Sequence, residues 1–205
     1  MSVVDGGSSS GLVQRVQDIL LKPKPTWDVI DGEAATVKGL FTGYICILAA
    51  IGPVASFLGS FLFGGLVFAP FALVGAVVGY ALTLVATYIM ALVIDALAPS
   101  FGGEKNQIQA FKVAAYSGTA TWLAGIFNLV PMLAILGIVG LYSLYLLYTG
   151  LPKLMKVSED KAIVYTLVIV VLMLVVYMVI GAIIASITLM GAAGGAAAMG
   201  AAAYM

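Results

Sequence analysis

The chain contains no histidine and a single cysteine, Cys46, in its 205 residues. Without imidazole there is no His-dependent acid–base or triad catalysis, and no Cys/His set can assemble a zinc-type site. One cysteine also excludes a disulfide within the chain. Charge is scarce too: 9% of residues are charged, against about a quarter in a soluble domain. The net charge is zero, so no basic surface points to nucleic acid. No phosphate-binding Gly-rich loop, nucleophile elbow or metal-binding helix motif occurs. Ser158-Glu-Asp-Lys161 has the spacing of a Ser-x-x-Lys nucleophile, but its place before an apolar run reads as a helix cap. These absences predict a protein that is not an enzyme and carries no cofactor or metal. The first 30 residues hold no signal-peptide core, because Arg15, Asp18, Lys22 and Lys24 interrupt every apolar run.

What the sequence does hold is 63% hydrophobic residues, more than a soluble fold of this length could bury. The charged side chains fall in three islands, Asp5 to Lys38, Asp95 to Lys112 and Lys153 to Lys161. A transmembrane helix takes roughly 20 apolar residues to cross about 30 Å of hydrocarbon. The charge-free stretches 39–94, 113–152 and 162–205 therefore accommodate two, two and one spans. The expected fold is all-α: a polytopic transmembrane bundle of five spans preceded by a short amphipathic helix. Residues 1–35 form the N-terminal part, 36–190 the five-span domain and 191–205 an Ala/Gly-rich tail.

Pairs of spans return the chain to one side, so all three islands share a compartment. They hold every Lys and Arg, and the positive-inside bias makes that compartment the cytosol, with the C-terminus outside. Four spans with one re-entrant segment is the alternative.

Leu12, Val13, Val16, Ile19 and Leu20 recur at helical spacing. That helix either lies along the headgroups or packs on the cytosolic end of the bundle. Pro23 and Pro25 should end it, leaving Thr26–Glu33 as a connector whose Trp27 suits the membrane interface. Span 1 is expected over 36–63 with a kink at Gly52-Pro53, and Gly64-Gly65 as the turn. Span 2 covers 66–97, span 3 covers 109–129, span 4 covers 132–150 before Pro152, and span 5 covers 161–190 after Ser158.

Within span 3, Ser117, Thr121, Gly125 and Asn128 share one helix face. A stripe of this kind lines a polar path or lets helices pack closely. Asp95, the only carboxylate close to a hydrocarbon core, is a candidate interfacial acid with Lys105 or Lys112 as partner. Tyr142, Tyr145 and Tyr148 form a candidate lipid-interface ladder together with Trp27. Gly39 and Gly43, Ser60 and Gly64, and Gly75 and Gly79 have the four-residue spacing of helix contacts.

Asp95-Ala-Leu-Ala-Pro99, Gly102-Gly-Glu-Lys105, Ala115-Tyr-Ser117, Asn128-Leu-Val-Pro131, Leu141-Tyr-Ser-Leu-Tyr145, Gly150-Leu-Pro-Lys153 and Glu159-Asp-Lys161 resemble the bacterial branch of the Yip family, over about Lys22 to Ile187. The resemblance implies a five-span helical bundle of the inner membrane that self-associates or organises other membrane proteins. Eukaryotic Yip proteins associate with Rab GTPases. This chain lacks the long cytosolic N-terminal region to which that partnership is generally attributed, so Rab binding is not implied here. The expected function is a homo-oligomeric, non-enzymatic scaffold whose other partner is the lipid bilayer. A channel or carrier for an ion, small solute or lipid is the rival.

Overall fold

A computed structural model describes residues 9–64 and 69–202, and every regular element among them is helical. Two short helices, α1 (Ser9–Leu21) and α2 (Pro23–Gly32), form an N-terminal hairpin. Pro23 and Pro25 separate the two helices but also start the second, correcting the expectation of an irregular connector. A proline at the first helical position loses only an N–H that would be unpaired anyway.

The first long arm comprises α3 (Val37–Leu40), a π-helical turn (Phe41–Ile45), α4 (Cys46–Ala49) and α5 (Ile51–Gly64). The Thr36 side chain caps its start by accepting from the Gly39 N–H at 3.0 Å. Pro53 cannot donate to the Ala49 carbonyl, and the helix breaks at Ala50. The Ala50 N–H turns to the Leu48 carbonyl, and the Tyr80 hydroxyl donates to the Cys46 carbonyl at 2.9 Å. A backbone acceptor freed by the kink is thus satisfied without water. The Gly64-Gly65 turn reaches beyond the described residues.

The second arm is α6 (Ala69–Leu97), closed by a 3₁₀ turn (Ala98–Phe101) and by Gly102, whose φ of 76° suits glycine. Next come α7 (Gln107–Ser117), α8 (Thr119–Ala124) and a 3₁₀ segment (Gly125–Leu129). A second 3₁₀ segment (Pro131–Leu141) leads into α9 (Tyr142–Leu154). The third arm, Gln107–Leu129, expected as span 3, is therefore a broken rod rather than one helix, and in the fourth arm, Pro131–Leu154, Pro152 lies inside α9 rather than beyond its end. The last helix, α10 (Glu159–Ala202), has 44 residues and runs without interruption into the Ala/Gly-rich stretch.

Among the described residues, four segments have the length and apolarity to cross a bilayer: Val37–Phe63, Ala69–Phe101, Pro131–Leu154 and Glu159–Met190. The three charge islands meet at one end. Lys153 pairs with Asp28 at 2.7 Å and Lys156 with Asp31 at 2.5 Å, while the Glu104 N–H donates to the Met155 carbonyl at 2.9 Å. The close-packed core lies toward this end, where Trp27, Ile30, Ile94, Phe111, Leu151 and Tyr165 are fully buried. The opposite end leaves Leu62, Phe63, Ile135 and Met178 more than 60% exposed.

Backbones approach closely where the first and third arms cross. A Cβ on Gly125 would sit 2.7 Å from the Gly52 Cα, whereas one on Gly52 would meet Gly125 at an ordinary 3.7 Å. Gly125→Ala should lower stability by about 1–3 kcal/mol, and Gly52→Ala should be near neutral. Thermal unfolding of both variants in detergent checks this asymmetry.

Candidate functional site

Around the charged end, one socket gathers residues from three helices, α2, α7 and α9. Trp27 is fully buried, its indole N–H donates to Thr149 Oγ1 at 3.1 Å, and its ring meets Tyr116 edge-on at 6.2 Å. Gly150 leaves the space, because a Cβ there would be 2.7 Å from the indole. The expectation of Trp27 at the lipid interface is thereby corrected. An indole needs an apolar body and one acceptor, and the protein interior supplies both.

The end of α2 is held by Lys112. Its ammonium is buried and donates to the carbonyls of Ile30 at 2.8 Å and Glu33 at 2.6 Å. Unpaired carbonyls at a helix C-terminus carry partial negative charge, which makes burial of this cation tolerable. Gln109 Nε2 bonds both the carbonyl and the carboxylate of Asp31. Arg15 pairs with Glu33 and lies over the Tyr116 ring at 5.8 Å. The hairpin thus packs on the bundle.

The span 3 stripe does not act as a unit. Ser117 is buried and its hydroxyl has no partner among the described residues. Thr121 Oγ1 bonds Ser143 Oγ at 2.9 Å and the Gly140 carbonyl at 3.1 Å, joining the third arm to the fourth. Gly125 is the crossing point with Gly52. Asn128 lines a cleft of about 640 Å³ with Ser56, Ser60 and Phe63 at the far end.

Asp95 is 9% exposed, and its Oδ1 has no partner among the described residues. Neither expected lysine reaches it: Lys112 is held by the α2 carbonyls, and Lys105 lies in an exposed loop. The Tyr142 hydroxyl donates to the Leu20 carbonyl at 3.0 Å and so pins α1, a role beyond an interface belt. Tyr145 is 41% exposed and Tyr148 half-buried.

Of the spaced contact candidates, Gly79 faces α10, where an added Cβ would meet Ile184 at 3.5 Å. A Cβ on Gly75 would meet nothing, and one on Gly39 only its own cap, Thr36. Gly43 lies in the π turn, Ser60 lines the far cleft and Gly64 ends α5. The close approaches at Gly52, Gly59, Gly140 and Gly150 were missed. Regular spacing does not mark them, because these glycines answer to distant segments.

The apolar segments and the helical architecture define a multi-pass helical membrane protein. A family model for the Yip1 domain matches residues 18–181, and the chain belongs to that family. No match was found among curated proteins or among solved structures.

Trp27→Ala should cost about 3–5 kcal/mol and release the hairpin, and Lys112→Met should release it without touching the indole. Lys22 and Lys24 each precede proline, so Arg15 is the tryptic site within the hairpin. Faster cleavage there in both variants is the expected readout.

Proposed function

We propose that this Yip1-domain protein is a non-enzymatic scaffold of a bacterial inner membrane, working as a homo-oligomer that organises other membrane proteins. The observation that carries this reading is α10. Its 44 residues extend about 66 Å, roughly twice the hydrocarbon thickness, and no charge follows Lys161. Tilt absorbs only part of that excess. An apolar helix longer than the bilayer needs protein cover, and the small residues of its last turns suit close helix contact. The polar groups of span 3 add support, because Thr119 and Thr121 are engaged in bonds to Tyr44, Ser143 and Gly140.

We read the chain as crossing five times, with the N-terminus in the cytosol. The segment from Gln107 to Leu129 reaches about 35 Å as α and 3₁₀ pieces. The bond between Glu104 and Met155 supports an even number of crossings between islands two and three. A channel or carrier is the second reading, favoured by the far cleft with its Ser56, Ser60 and Asn128 lining.

Crosslinking in native membranes and light scattering in nanodiscs should both report an oligomer; a monomer throughout sinks the scaffold. In a Cys46→Ser background, an impermeant maleimide should label Ala193→Cys in intact cells but Ser100→Cys only after permeabilisation. Transport instead predicts solute flux in vesicles that is lost when Ser56, Ser60 and Asn128, which line the far cleft, are all changed to Ala.

A further inference from the structure

Beneath the tip of the N-terminal hairpin lies an apolar cleft of about 380 Å³, lined by Leu20, Leu123, Phe127, Val139 and Tyr142 among others. We infer that it takes an acyl chain of an anionic glycerophospholipid, whose phosphate is held by Lys22 and Lys24. The Tyr142 hydroxyl at its wall is already donated to the Leu20 carbonyl. Water needs two to four polar partners, so hydrocarbon is the better occupant. Two of its lining residues are exposed, Ile126 at 49% and Val139 at 57%, so bilayer chains have access to it.

The charge at its rim follows from what is left after pairing. In the first island Arg15 pairs with Glu33, and Asp28 and Asp31 pair with Lys153 and Lys156. Lys22 and Lys24 are exposed and belong to no ion pair among the described residues. Asp18, one turn earlier, accepts a hydrogen bond from Gln14. Lys22 stands at the N-cap of α2, where the helix dipole also favours an anion.

The hairpin runs along α9 in the direction that brings this charge to the cleft. Leu20 is bonded to Tyr142, Trp27 to Thr149, and Asp28 and Asp31 to Lys153 and Lys156. The Lys22–Lys24 turn therefore lies at the cleft end of α9, while the acids lie at the other. Exposed Leu21, 77% accessible, adjoins the lysines, and basic groups beside exposed apolar ones suit a headgroup boundary.

The test is native mass spectrometry of the full chain released from nanodiscs holding equal phosphatidylglycerol and phosphatidylcholine with identical chains. The native protein should retain the anionic lipid on the order of tenfold over the zwitterionic one. Lys22→Gln with Lys24→Gln should bring that ratio to unity while lipid remains bound. Val139→Trp, filling the cleft from an exposed position, should lower retention of both. Equal retention by the native chain, an unchanged ratio in the double variant, or unchanged occupancy in Val139→Trp would overturn the inference. So would a disulfide between copies through Ile126→Cys in the Cys46→Ser background, which would put a second chain over the cleft.

Discussion

A single buried ammonium ties the N-terminal hairpin to the bundle. Lys112 enters from α7 and ends on the Ile30 and Glu33 carbonyls, so the last turn of α2 and the start of the third arm become one unit. With that end fixed, Trp27 faces Thr149, and the acids of α2 face Lys153 and Lys156. A lysine without those carbonyls would be an uncompensated buried charge. The carbonyls without the lysine would be unpaired acceptors at a helix end.

The molecule has two halves governed by different solvents. At the charged end, large side chains interlock and polar atoms find partners across more than a hundred residues of sequence, as Trp27 does with Thr149. At the other end there is little large-residue burial, and glycines bring backbones together at Gly52 with Gly125 and at Gly59 with Leu129. That division is expected where lipid replaces water, because apolar side chains gain little there from leaving solvent and close van der Waals contact matters more.

Features that depend on neighbours in sequence were legible before any coordinates. The charge islands marked the segments that gather at one end, and Pro53 marked the break at Ala50, because a missing N–H acts within one turn. The Yip1 relationship was legible from short runs such as Asn128-Leu-Val-Pro131. Trp27 was misplaced because an indole satisfies an interface and a socket equally well; Thr149 and Gly150, far along the chain, decide between them. Proximity in sequence offers Asp95 either Lys105 or Lys112, yet Lys112 is engaged by carbonyls from the first island and Lys105 is exposed in a loop. The four residues of the span 3 stripe meet different neighbours, because the rod breaks at Gly118 and turns to 3₁₀ at Gly125.

The 3₁₀ geometry of Pro131–Leu141 bears on the reach of the fourth arm. That arm has 24 residues, against 27 and 33 in the first two. Eleven 3₁₀ residues rise about 22 Å where an α-helix would rise about 16 Å. The shorter arm thereby gains about four residues' worth of height and meets the corner at Val130 without added chain. Rewinding that stretch to α would draw the corner inward by about 5 Å, away from Gly59, so the helix type acts as a spacer that sets the height of the corner at Val130.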